Sequence, residues 1–209
     1  MYSDITCIIL SGGKSIRMGE NKSFLKLGKL TIIERLVNLT KSIFSEVIII
    51  TNEPEMYLFL GLPVFSDIYK NVGPPAGIHS GLVNSKTDKN FIISCDIPLI
   101  NRESIEFIVN YPGDELIKVP LADGFLQHLC GMYNKACLPY IEALIKNSIE
   151  EETRHKNQDK RKCKVHQLVN SVDSTIINIE TEFPDYISDT FLNMNKPEEY
   201  EKIQRLLKM

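Results

Sequence analysis

An apolar run, Ile5 to Leu10, leads directly into Ser11-Gly12-Gly13-Lys14-Ser15-Ile16-Arg17-Met18-Gly19-Glu20-Asn21-Lys22. Paired glycines let the backbone approach a ligand closely and aim N–H groups at it. Lys14, Arg17 and Lys22 bring positive charge to the same stretch. Close backbone donors beside clustered cations are the chemistry of a nucleoside triphosphate site. Two familiar phosphate loops do not fit. Gly13-Lys14-Ser15 looks like the end of a Walker A loop, but the glycine that motif needs five residues earlier is Ile8, inside the apolar run. The dinucleotide fingerprint G-x-G-x-x-G is not met by Gly12, Gly13 and Gly19.

A carboxylate closes a second apolar run, in Ile92-Ile93-Ser94-Cys95-Asp96-Ile97-Pro98. Asp96 there is costly unless hydrogen-bonded or metal-bound. It could ligate magnesium, which takes few carboxylates and shares substrate phosphates. It could equally cap the helix that follows. Asn52 and Asp67 each follow a short apolar run; the Asn52 amide can both donate and accept, and Asp67 can accept hydrogen bonds from a base or ribose. Either is also an ordinary turn residue.

These residues need elements to carry them. Apolar runs at Ile5–Leu10, Val47–Ile50, Pro63–Phe65, Asn90–Cys95, Ile117–Pro120, Leu129–Tyr133 and Thr175–Glu180 read as strands. Helical patterns are expected over Thr31–Phe44, Glu53–Leu60, Gly77–Val83, Ser104–Asn110, Cys137–Ile149 and Pro197–Leu207. The alternation predicts an α/β fold: a doubly wound, mostly parallel sheet flanked by helices. Ligands of such sheets bind beyond the carboxyl ends of the strands. Gly12, Asn52, Asp67 and Asp96 would all fall there. Residues 150–164, dense in charge, are expected to form an exposed, mobile loop or helix end. No repeat or linker divides the chain, so a single domain over 1–209 is expected.

Composition narrows the classes. The 209 residues are 43% hydrophobic with a net charge of −3, enough for a full core and without the basic excess of a nucleic-acid binder. No signal sequence and no membrane-length apolar stretch is seen, so a soluble cytoplasmic protein is expected. The five cysteines, Cys7, Cys95, Cys130, Cys137 and Cys163, include no C-x-x-C pair. That argues against a zinc site or a disulfide framework.

The segment fits the pattern L-[AS]-G-G-x-S-x-R-M-G-x-x-K. It resembles the signature of nucleotidyltransferases with the sugar-nucleotide pyrophosphorylase fold, and within them the molybdenum cofactor guanylyltransferases. Asp67 followed by Gly73-Pro74-Pro75-Ala76-Gly77-Ile78 is similar to the D…G-P-L-A-G-I segment of that family, with Pro75 for Leu. Phe191-Leu192-Asn193-Met194-Asn195-Lys196-Pro197-Glu198-Glu199 is similar to its F-x-N-x-N-x-P-E-[ED] ending. Ser11 for the usual Ala and His128 in place of the Pro of Q-P-L are departures.

The resemblance implies a nucleotidyltransferase joining GMP from GTP to the phosphate of molybdopterin, with release of pyrophosphate and Mg2+ as cofactor. It implies catalytic roles for Arg17, Lys22 and Asp96, and a metal ligand in Asp96. Nucleotide contacts would come from Leu10, Ser11, Gly12, Gly13, Lys22, Asn52, Asp67 and Asp96, with Asn193 and Asn195 on the second substrate. Arg161 and Lys162 could reach the pterin phosphate. Molybdoenzymes or cofactor-delivery proteins are expected partners. Alternatives are a same-fold enzyme using CTP or another acceptor, and a non-catalytic GTP-binding module.

Overall fold

The structure, a computed structural model, describes residues 1–12, 21–154 and 163–207. Arg17, Gly13, Lys14, Arg161 and Lys162 lie outside the described residues. Strand β1 (Tyr2–Leu10) is buried throughout Ile5–Leu10, as a strand covered on both faces must be. It pairs in parallel with β4 (Phe44–Ile50) on one side and β6 (Lys89–Ser94) on the other. β5 (Val64–Phe65) continues beyond β4 in the same direction. On the far side β9 (Cys130–Asn134) runs antiparallel to β6 and to β7 (Ile117–Ala122), and β10 (Ser174–Asn178) pairs parallel to β7. The order is β10-β7-β9-β6-β1-β4-β5, with β8 (Phe125–Leu126) hairpinned onto β7. A separate two-stranded ribbon joins β2 (Lys26–Leu27) and β3 (Leu30–Thr31).

The strand alternation decides which helices cover which face. Cys7, Ile9, Phe91 and Ile93 pack with Ile33 and Leu36 of α1 (Ile32–Lys41) and Ile105 and Ile108 of α3 (Arg102–Asn110). Ile8, Leu10 and Ile92 face the other layer. There they meet α2 (Pro74–Asn84), α4 (Leu138–Arg154) and the short α5 (Val165–Val169). Helix α2 lies close against the sheet: a Cβ on Gly81 would stand 2.5 Å from Ile8 Cγ2. A four-residue helix α6 (Ile179–Glu182) follows β10. The terminal helix α7 (Pro197–Leu206) is anchored through Ile203, which packs with Leu27, Ile32 and Met194.

Several boundaries differ from the periodicity. The helix expected over 31–44 stops at Lys41, and Phe44 begins β4, buried and stacked on Phe91 at 5.6 Å between ring centroids. Its start is fixed by a capping box: Glu34 N–H donates to the Thr31 hydroxyl, and Thr31 N–H donates to the Glu34 carboxylate at 2.8 Å. Helix α2 starts earlier than Gly77 because Pro74 and Pro75 fit the first turn, where no N–H is needed. Residues 150–154 form the end of α4, the helix-end alternative for the charged segment, while Cys163 is buried. Residues 155–162 are outside the described part.

Candidate active site

The parallel strands β6, β1, β4 and β5 present their carboxyl ends along one rim. Asp96, Gly12, Asn52 and Asp67 follow those ends, in that order across the sheet. From β1 the chain steps one way to β4 and β5, then returns to β6 on the opposite side. The gap between β1 and β6 is therefore the topological switch point, where open α/β sheets form their ligand crevice. The turn there is knit by backbone bonds: Ser11 N–H donates to Ile50 O (2.9 Å) and Cys95 N–H donates to Leu10 O (3.1 Å).

Among the described residues Lys22 brings a cation to this crevice. It lies on a three-residue 3-10 turn, Lys22–Phe24, capped by the Asn21 side chain, which accepts from Ser23 N–H at 3.1 Å. Its ammonium stands 3.5 Å from Asp96 Oδ2. It also donates to the Met194 carbonyl (3.3 Å) and to Asn195 Oδ1 (3.2 Å). Asp96 and Lys22 are each under one-fifth exposed. The pair is thus partly desolvated yet open on one side. Asp96 does not cap α3. Asn101 does, accepting from Ser104 N–H at 2.9 Å. Nor does the Asn195 side chain cap α7: its Oδ1 is turned to Lys22. The capping alternative open to Asp96 in the sequence is thereby closed.

The C-terminal segment reaches the site because Met194 N–H donates to the Asp96 carbonyl at 2.7 Å. Beside it opens a cleft of about 420 Å³ lined by Asp96, Gln127, His128, Asn193 and Asn195, with Phe125 at its mouth. Asn193 Nδ2 lies 3.5 Å from Gln127 Oε1. Burial, and then the neighbouring His166, hold the His128 ring below the usual histidine pKa, against a hydrogen bond to the Leu126 backbone.

At the other end of the rim, Asn52 Nδ2 donates to Asp67 Oδ2 at 2.8 Å, and Lys70 Nζ donates to Asn52 Oδ1 at 3.1 Å. Burial raises the Asp67 carboxyl above its ordinary value, while Asn52 and Lys70 pull it down. A Cβ on Gly77 would meet Leu10 Cδ2 at 3.4 Å and Asp67 Oδ1 at 3.7 Å, so α2 lies close against this corner at Gly77.

The structure thus gathers Lys22, Asp96 and Asn195 at one point, joins Asn52 to Asp67 at a second, and sets Asn193 on the cleft wall between β6 and the terminal segment. Leu10 contributes a backbone carbonyl to the turn. Ser11 is 2% exposed and its hydroxyl points inward, to Ser23 and Tyr57. Cys95 is buried beside it, and burial, with Asp96 adding, raises its thiol pKa, so the sulfur stays protonated. Lys70, Gln127 and Tyr57 carry contacts that no motif announced. Only Gln127 had a signal, its place in a Gln-His-Leu triplet. Among the described residues no three Asp, Glu, His or Cys side chains gather as a ready-made metal cage. Among the described residues Asp96 is the carboxylate that lines the cleft.

The MobA-like NTP transferase domain family matches residues 7–161. A probable molybdenum cofactor guanylyltransferase of Carboxydothermus hydrogenoformans is 35% identical over 208 residues, 99% of this chain and 98% of its own length. A molybdenum cofactor guanylyltransferase of Desulfosudis oleivorans is 30% identical over 207 residues, covering 98% and 96%. Among solved structures, the molybdopterin-guanine dinucleotide biosynthesis protein A of Archaeoglobus fulgidus superposes with a TM-score of 0.78 at 18% identity, over 98% of this chain and 100% of that one. The sheet, the signature after β1 and these similarities agree, and the chain belongs to the MobA-like NTP transferase family.

Proposed function

We propose that the protein is a molybdenum cofactor guanylyltransferase: it transfers GMP from GTP to the phosphate of molybdopterin and releases pyrophosphate. An acceptor phosphate oxygen attacks the α-phosphorus, a new P–O bond forms, and the bond from the α-phosphorus to the bridging oxygen breaks. That oxygen leaves with its electron pair on pyrophosphate. A phosphate oxygen is already ionised at neutral pH, so the reaction needs alignment and charge stabilisation rather than a general base. The observation that carries this reading is the Lys22 ammonium held by Asp96 and Asn195 at the β1/β6 switch point.

In this reading Lys22, with Arg17, meets the triphosphate, and Gly12 and Gly13 let the backbone approach it. Asn52 and Asp67 face the base. The cleft beside Asp96 takes the pterin, with Asn193 and Asn195 on its wall. Residues 1–209 act as one domain. Asp96 suits Mg2+ as a lone strand-end carboxylate, since magnesium takes its remaining ligands from water and substrate phosphates. Bound there, the cation would neutralise phosphate charge. All five cysteines are free, in keeping with a reducing cytoplasm. Molybdoenzymes or their cofactor-delivery proteins would receive the product.

Asp96→Asn tests the assignment. It should fold normally, as read by its melting temperature, yet lose magnesium-dependent pyrophosphate release by at least about 100-fold. Near-normal turnover in the folded variant would rule out the ligand role.

A further inference from the structure

Beneath the crevice lies a layer of polar side chains that the transfer chemistry does not itself use. Tyr57, on the 3-10 turn Pro54–Leu60, is fully buried and sends its hydroxyl to within 2.8 Å of Ser11 Oγ. Asn21 Nδ2 donates to the same hydroxyl at 3.3 Å and to Glu53 Oε2 at 3.1 Å. Ser11 Oγ lies 2.7 Å from Ser23 Oγ, and Ser23 Oγ lies 3.1 Å from Cys95 Sγ. One consistent assignment of donors runs Asn21 to Tyr57, Tyr57 to Ser11, Ser11 to Ser23 and Ser23 to Cys95, and Ser11 Oγ also lies 3.4 Å from Cys95 Sγ.

The members are neighbours, in sequence, of the site residues. Ser11 precedes Gly12, Asn21 and Ser23 flank Lys22, Cys95 precedes Asp96, and Glu53 follows Asn52. Four separate chain segments are thereby tied together under the crevice. Buried polar groups are expensive unless fully paired, and when fully paired they specify one arrangement. Apolar side chains could fill this space at lower risk. Hydroxyls in a directed chain instead fix the mutual positions of the loops that bear them.

We propose that this layer is a positioning device for nucleotidyl transfer, with the Tyr57 hydroxyl as its hub, setting Lys22 against Asp96 and the two ends of the glycine-rich signature against each other. Tyr57 is a positioning residue; it acts through Lys22. The proposal rests on the nucleotidyltransferase reading for its catalytic consequence, and its geometric content can be measured without turnover.

Tyr57→Phe removes the hub and keeps the ring, which packs on Phe24 at 5.1 Å between centroids. Pyrophosphate release with GTP, Mg2+ and molybdopterin should fall at least about tenfold in kcat, since small misplacements of reacting groups are costly. The KM for GTP should change much less. In a Lys22→Ala background the same substitution should change kcat less than about twofold, because its route of action is already gone. Independent losses that multiply would overturn the proposal, as would a Tyr57→Phe enzyme with wild-type kcat. In the unliganded protein, acylation of Lys22 by an amine-selective reagent, read by peptide mass spectrometry, should accelerate in Tyr57→Phe while exposed Lys86 is unchanged. Equal Lys22 labelling would overturn the positioning role even if the wild-type protein failed to transfer nucleotide, an outcome that would sink only the functional reading. Should Tyr57→Phe fold poorly, Asn21→Ala, at a partly exposed position, takes the same two measurements with the same expected directions.

Discussion

At the residue scale, the charged and amide side chains that meet in the crevice are held by partners that sit far away in sequence. Lys22 illustrates this best. Its ammonium is fixed by Asp96 from the β6 end and by Met194 and Asn195 from the terminal segment, so its charge is aimed before any ligand arrives. Charge set in place in advance stabilises a developing transition state without reorganisation at the moment of reaction. Lys22→Ala should therefore lower kcat by a similar factor, about 10²-fold or more, with every nucleotide that the enzyme accepts. Turnover measured with several nucleoside triphosphates checks this, and a loss confined to one base would contradict it. The other corner behaves differently. Asn52 and Asp67 can meet guanine's donor pair and its O6 acceptor, a set that cytosine lacks. Asn52→Ala should shrink the preference for GTP over CTP by roughly 5- to 150-fold, the cost of about 1–3 kcal/mol for one buried group left unpaired. The pH dependence has two opposite signs here. Burial raises the Asp67 pKa, so the folded chain holds that proton more tightly than the unfolded chain. Its contribution to stability is fully present below the ordinary carboxyl value and is lost as pH rises through the folded value. Base recognition needs the ionised carboxylate, so the preference for GTP should instead weaken as pH falls through that raised value. Specificity ratios measured across the acid range would read it.

At the scale of elements, the helix–sheet contacts decide how far the rim can tolerate change. Helix α2 brings Gly77 against Asp67, and Gly81 lets its backbone lie on Ile8. An Ala in a helix interior normally gains up to about 1 kcal/mol over Gly. Here its Cβ would meet Ile8 Cγ2 at 2.5 Å, and overpacking typically costs about 1–3 kcal/mol. Crowding wins, so Gly81→Ala should lower the melting temperature and shift the Asp67 corner. An unchanged or raised melting temperature would show that the layer can yield. The main strands and helices were legible from apolar runs, because central strands such as β1 and β6 are buried on both faces and read as unbroken hydrophobic stretches. The helix expected over 31–44 runs three residues past the observed end at Lys41 because Ile43 and Phe44 are as apolar as the helix stripe, yet they belong to the sheet's core. The β2–β3 ribbon, β8, α5 and α6 were missed: each spans five residues or fewer, too short for a period to register. The antiparallel course of β9 is also a property of pairing, which a single strand's sequence does not carry.

At the scale of the whole molecule, topology assembles the candidate site. A return from β5 to β6 on the far side of β1 opens one crevice, and every rim residue named from the sequence follows a strand that ends beside it. Their positions at strand ends could be read directly from where apolar runs stop. Their partners could not. The Lys22–Asp96 pair spans 74 positions and the Lys22–Asn195 bond 173, and nothing local in the chain encodes either. The Ser11–Tyr57 hydroxyl pair was invisible for the same reason, and Tyr57 reads in sequence as one more aromatic of a short apolar turn. The proposed function is guanylyl transfer to a pterin phosphate in this crevice. Its most direct test is pyrophosphate release by the purified protein with Mg2+ and molybdenum-loaded molybdopterin, run separately with GTP, CTP, ATP and UTP, with the pterin product identified by mass. The expected result is turnover with GTP in preference to the others, strict dependence on the pterin, and a product heavier by one GMP. A better rate with CTP, or pyrophosphate release indifferent to the pterin, would contradict it.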